Sequence, residues 1–149
     1  MKMKRTVLAV ALMLVIFCIY SAPAQSVTKK IGPAEAKKNQ LADDEFLKAL
    51  QTGDVSKLGD IADAGFINHG VGEKIGPDSL KSSIKMFHSR FKPKVEVISR
   101  TTDGEYFGDW VRFIGANPGV VIEGIEMTKY ANGKALEHWF FPNNQRRTN

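Results

Sequence analysis

Apolar residues recur every three to four positions between about residue 41 and residue 91, and at every second position after Pro93. In the first stretch Phe46, Leu47 and Leu50 share one helical face. Gly53 is placed to end that helix and Asp54 to cap the next. Val55, Leu58, Ile61 and Ala62 then predict a second helix. A third opens at Gly76-Pro77-Asp78-Ser79, with Pro77 at its first position and Asp78 favourable to the helix dipole. Its stripe is Leu80, Ile84, Phe87 and Phe91. Residues 25–40 read as a solvated lead-in in which Pro33 is suited to open a helix.

Beyond Pro93 the pattern is that of strands. Lys94-Val95-Glu96-Val97-Ile98-Ser99-Arg100 is rich in β-branched residues, and turn signals follow at Asp103-Gly104, Asn117-Pro118-Gly119 and Asn132-Gly133. Four long antiparallel strands in a meander are expected. Helices followed by a run of strands indicate an α+β fold with the helices on one face of the sheet.

The Asn132-Gly133 turn predicts a register. A type I′ hairpin sets Ala131 opposite Lys134, and counting outward sets Thr128 opposite Glu137 and Glu126 opposite Trp139. On that count Glu126, Thr128, Tyr130, Glu137 and Trp139 share one face, a polar floor within an apolar cavity. Met127, Lys129, Leu136, His138 and Phe140 share the other, which is expected to meet the core or a partner subunit.

Ahead of the fold lies a different pattern. Lys2, Lys4 and Arg5 precede an apolar run from Val7 to Tyr20, and Ala22-Pro23-Ala24 supplies small residues at a cleavage site. Residues 1–24 read as a secretory signal, so the mature chain is expected to be exported, periplasmic or secreted, without a membrane anchor. The lone Cys18 lies inside that segment, which leaves no disulfide or thiolate chemistry downstream. The net charge of +5 also changes meaning. Between Asp43 and Glu137 there are 15 acidic against 12 basic side chains, a net −3. No Lys and Arg cluster marks the domain, so nucleic acid is not an expected partner.

The run Gly124-Ile125-Glu126-Met127-Thr128-Lys129-Tyr130-Ala131-Asn132-Gly133-Lys134-Ala135-Leu136-Glu137-His138-Trp139 is similar to the end of SnoaL-like proteins, the polyketide-cyclase branch of the nuclear-transport-factor-two-like (NTF2-like) fold. Asp63-Ala64-Gly65-Phe66-Ile67-Asn68-His69-Gly70 resembles a helix-end motif of that family, an aromatic residue three positions before a histidine. The segment from Ile75 to Phe91 resembles its third helix. Together these resemblances span roughly 41–141. They imply a cone-shaped fold, with three helices on a curved, four-stranded or larger antiparallel sheet that encloses a pocket. The domain is drawn at 41–142, with a flexible tail at 143–149. The family's usual Asp and Arg are Glu126 and Lys129 here. Phe140 follows Trp139 where many relatives carry Asp.

The candidate chemistry centres on Glu126 as a base. A carboxylate in an apolar cavity has its charged form disfavoured, which suits it to proton transfer. His69 is expected to be its hydrogen-bond partner, and Trp139, Glu137, Tyr130, Trp110 and Phe66 to surround the ligand. The three histidines lack metal-ligand spacing, and no phosphate loop or nucleophile elbow occurs. Two readings follow. One is a cofactor-free isomerase, cyclase or dehydratase acting on a small, largely apolar molecule. The other is a non-catalytic binding or dimerisation module. A homodimer is expected in either case.

Overall fold

The computed structural model describes residues 30–69, 74–115, 119 and 121–143. The expected signal segment, residues 144–149 of the tail and Asn117-Pro118 lie outside the described residues.

Helix α1 (Pro33–Thr52) has Pro33 in its first turn and is closed by Gly53, whose φ of 75° lets its N–H reach the Ala49 carbonyl at 2.8 Å. The helix therefore begins within the expected lead-in and runs unbroken through residue 40. The reason is visible at Asn39, which is fully buried. Its Nδ2 donates to the Gly104 carbonyl at 2.7 Å, and its Oδ1 accepts from the Gly133 N–H at 2.7 Å. One amide thus clamps the helix to the tips of two hairpins.

The second helix is a single turn, α2 (Leu58–Ile61). The chain then becomes extended as β1 (Ala62–Asn68), where the sequence suggested the end of a helix. Tertiary pairing overrides the local pattern here: β1 lies parallel to the last strand and antiparallel to the two-residue β2 (Lys74–Ile75). Helix α3 (Pro77–Phe91) follows, with Leu80 and Ile84 buried, Phe87 partly so and Phe91 44% exposed. Strands β3 (Lys94–Thr102), β4 (Tyr106–Ile114), β5 (Val121–Ala131) and β6 (Lys134–Pro142) form the expected meander. The order across the sheet is β2-β1-β6-β5-β4-β3. The sheet has six strands, within the expected four or more, and is mixed because β1 runs parallel to β6.

The register differs from the sequence count by one residue. The turn itself is the predicted one: Asn132 and Gly133 have φ of 50° and 80°, and Ala131 pairs with Lys134. Tyr130 then pairs with Ala135, but Lys129 pairs with Glu137. Leu136 is the extra residue of a β-bulge, and a one-residue insertion sends every later side chain to the opposite face. Thr128 now faces His138, and Glu126 faces Phe140.

The helices cover the sheet face that carries Val95, Phe107, Val111, Phe113, Tyr130 and Ala135, all buried. Phe46, Leu50, Leu58, Leu80 and Ile84 complete that core. Phe140 folds across Gly124, where an added Cβ would lie 2.6 Å from its ring and 2.6 Å from the Phe141 carbonyl oxygen. Glycine at 124 is thus what lets Phe140 lie flat as a wall of the interior.

Candidate functional site

Between the helices and the sheet lies a cavity of about 140 Å³. Helix α1 lines it with Phe46 and Leu50, helix α3 with Leu80, Ser83, Ile84 and Phe87, and the sheet with Phe113, Ile122 and Phe140. Three polar side chains complete the lining: Glu126, His138 and Asn68. The Ser83 hydroxyl donates to the Ser79 carbonyl at 2.7 Å, so its proton is engaged within the helix.

Backbone pairing brings the three polar groups together. Asn68 is the register partner of His138, and the His69 N–H donates to the His138 carbonyl at 2.8 Å. The bulge turns the His138 ring inward, where its Nε2 meets the Glu126 carboxyl directly. Its Nδ1 lies 3.2 Å from the Asn68 amide oxygen, and Phe46 presents its edge to the ring at a centroid distance of 5.1 Å. Glu126 and His138 are each 6% exposed, and Asn68 3%.

One proton bridges the contact between Nε2 and the Glu126 oxygen, and either the imidazole or the carboxyl can carry it. Such a pair can give a proton to a bound molecule or take one from it.

The other expected site residues lie elsewhere. Glu137, Trp139 and His69 gather outside the cavity. His69 Nε2 is 3.3 Å from Glu137, and its ring stacks on Trp139 at 5.0 Å with the planes 4° apart. Lys129 joins them, 3.9 Å from Glu137. The two carboxylates expected to share a face, Glu126 and Glu137, are therefore on opposite sides of the sheet, and the bulge at Leu136 is the cause. His69 stands with Glu137, so the buried histidine beside Glu126 is His138, which the sequence count had turned away. Trp110 is on the outer face and 44% exposed. Phe66 and Tyr130 are fully buried on the inner side, and neither lines the cavity. Asn68 and His138, which the sequence pattern does not place at the cavity, reach Glu126 only through the pairing of β1 with β6 and the bulge. Among the described residues no group of three His, Cys, Asp or Glu side chains is placed to hold a metal ion.

Neither a family model nor a curated protein matches this sequence. Solved structures do match. A candidate SnoaL-like polyketide cyclase from Jannaschia sp. CCS1 superposes with a TM-score of 0.62 at 17% identity, covering 77% of this chain and 91% of its own. A candidate polyketide cyclase from Bacillus cereus ATCC 10987 gives 0.63 at 18% identity, with coverages of 80% and 91%. An NTF2-like protein of unknown function from Burkholderia xenovorans LB400 gives 0.60 at 18%, with coverages of 77% and 90%. The fold is that of the SnoaL-like and NTF2-like proteins. At these identities the likeness speaks for architecture, and chemistry has to be argued from the side chains present.

In this SnoaL-like fold a second polar cluster ties α1 to the sheet. Asp43, 1% exposed, accepts the Tyr130 hydroxyl at 2.9 Å and meets Arg100 at 2.8 Å. The same guanidinium binds Asp109 at 2.8 Å and the half-exposed Asp44 at 2.7 Å. Burial, and then the charge of Asp109, push the Asp43 carboxyl from its ordinary 3.8 up to about 7. Burial and the nearby Asp43 charge likewise raise the Tyr130 hydroxyl well above its usual value.

Proposed function

We propose that the cavity takes a small, largely apolar ring compound carrying a carbonyl, and that the Glu126–His138 pair exchanges a proton with it in cofactor-free isomerase-, cyclase- or dehydratase-type chemistry. The observation that carries this reading is the pair itself, a carboxyl and an imidazole in direct contact beside an otherwise apolar cavity. The partner role expected of His69 passes to His138. Size supports a single ring: an engineered cavity of roughly 150 Å³ lined by Leu, Ile and Phe, in another protein, binds benzene. Phe46, Phe87, Phe113 and Phe140 supply the apolar walls. Asn68, beside Nδ1, helps hold the imidazole in the orientation that sets Nε2 against Glu126.

Proton exchange can be measured without knowing the natural ligand. In heavy water, native protein is expected to speed exchange of the α-protons of 2-cyclohexenone, followed by proton NMR. Glu126→Gln should lower that rate by about 10²–10⁴-fold, the usual contribution of a positioned acid or base. Equal rates for native and variant protein would remove Glu126 from the chemistry.

The dimerisation reading finds support on the outer face. Trp110, Ile125 and Phe141 are successive register partners across β4, β5 and β6, and are 44%, 46% and 49% exposed. A contiguous apolar row of this kind marks an interaction surface. It fits a second copy of the chain related by a two-fold axis. Ile125→Asp is expected to turn a dimer into a monomer in sedimentation equilibrium. Native protein that sediments as a monomer would dismiss the second copy.

A further inference from the structure

Two rows of inward side chains cross the sheet beside each other. In one, Arg100, Asp109, Glu126 and Phe140 are successive register partners on β3, β4, β5 and β6. In the other, Phe107, Thr128, His138 and Asn68 are partners on β4, β5, β6 and β1. The first row places Asp109 directly opposite Glu126, where facing Cβ atoms are roughly 4.5–5.5 Å apart. Asp109 is held by Arg100, and Arg100 by Asp43 on α1. Asp43 in turn accepts the hydroxyl of Tyr130, which lies two residues along β5 from Thr128, the register partner of His138. The Glu126–His138 pair and the α1–sheet junction are thus adjacent parts of one buried polar patch.

Counting charge on that patch is informative. Asp43, Asp109 and Glu126 are 1%, 1% and 6% exposed, so each is nearly out of water. Arg100 supplies one positive charge and His138 at most another. With all three acids ionised the patch stays negative even when the imidazole is protonated. Uncompensated charge away from water is costly, so the patch retains protons that isolated carboxylates would release. Among the described residues, α1 also brings Asp44, which is half exposed and bound to Arg100, and β5 brings Tyr130. The cavity face of α3 brings Ser83 and no charged side chain.

We propose that Asp43 and Asp109 are positioning residues for the Glu126–His138 pair, and that the proton held on Asp43 sets the charge that the pair carries. Ligand-side proton exchange would then depend on a carboxyl outside the cavity lining, at the junction between a helix and the sheet. The elevation of Asp43 to about 7 agrees with this, since its proton is then lost within the neutral range. Groups coupled in this way titrate as a set rather than singly. The proposal rests on the proton-exchange reading above, and the test uses no ligand, so the two fail separately.

The test is an NMR titration of the full chain from about pH 5 to about pH 9, which spans the coupled step. It follows the Asp43 side-chain carboxyl carbon and the His138 ring signals together. The His138 signals are expected to shift in step with Asp43 near pH 7, and that step should vanish in Asp43→Asn. Glu137→Gln, across the sheet, should leave the step in place. His138 signals that pass through the Asp43 transition unchanged would overturn the proposal, as would an identical step in Asp43→Asn. If that variant does not fold, Tyr130→Phe takes its place: loss of the hydroxyl should move the Asp43 transition to higher pH and the His138 step with it, and a His138 step that stays where it was would overturn the proposal.

Discussion

Replacing His138 with alanine is expected to destabilise the protein by about 3–5 kcal/mol at neutral pH, the usual result of stripping a buried charge of its partner. Three losses combine at this position. Glu126, 6% exposed, is left beside an apolar cavity without the imidazole that balances it. Asn68 loses the ring nitrogen that its amide oxygen faces at 3.2 Å, and Phe46 loses its edge contact. The double variant Glu126→Met/His138→Leu should recover most of the loss, because an apolar pair of similar volume leaves no orphaned charge. Glu137→Ala is the control on the other side of the sheet. Its side chain is 31% exposed and its partners are His69 and Lys129, so the change should be no more than about 1 kcal/mol. Urea denaturation of the four proteins gives these numbers. Equal losses for His138→Ala and Glu137→Ala would show that the bulge does not place these residues on opposite faces.

Arg100→Met is expected to cost a similar amount, about 3–5 kcal/mol near pH 7, with a distinctive pH dependence. In the native protein Asp43 has its carboxyl raised from 3.8 to about 7. Its protonated form is the one that folding favours. The stability it contributes is therefore complete below about pH 4 and is lost as pH rises through 7. The full change is on the order of 4 kcal/mol, from the usual conversion of a shift into free energy. Without Arg100, Asp43 and Asp109 confront each other with no cation between them, so stability should fall more steeply over the same range. At low pH, with the carboxyls protonated, the variant should approach the native protein. Denaturation curves at acid and neutral pH measure the difference. A cost independent of pH would mean that Arg100 stabilises by packing alone.

These two clusters also show how far the sequence could be read. Periodicity located the stripes that form the core: Phe46 and Leu50 on α1 and Leu80 and Ile84 on α3 are all buried. The local signals at Gly53, Pro77 and Asn132-Gly133 were also legible, since each depends on a backbone preference carried by the residue itself. What local patterns do not carry is pairing between distant segments. Ala62–Asn68 has Asp63 and Gly65 near its centre and only Ala62, Phe66 and Asn68 buried, so nothing in its composition announces a strand. It is one because β6 offers it a parallel edge.

Leu136 is the sharper case. Residues 134–142 suit an extended strand with or without a bulge, and the choice between them is settled by what each face must cover. With the bulge, Ala135 and His138 face inward three positions apart, and Lys129 meets Glu137 in the outer row. Without it, His138 would point out and Trp139 would have to fit where the Glu126 pair now sits. Glu126 was legible because β5 alternates strictly from Gly124 to Tyr130, with Glu126, Thr128 and Tyr130 all buried. Its partner was not, because one inserted residue exchanges His138 for Glu137.

The site depends on the inward turn of His138, and a nuclear Overhauser measurement tests that turn directly. Cross-peaks are expected between the His138 ring protons and the Phe46 ring, whose centroids are 5.1 Å apart, and between the His69 ring and the Trp139 indole, stacked at 5.0 Å. Cross-peaks from the His138 ring to Met127 or Lys129, with none to Phe46, would place the imidazole on the outer face and contradict the site.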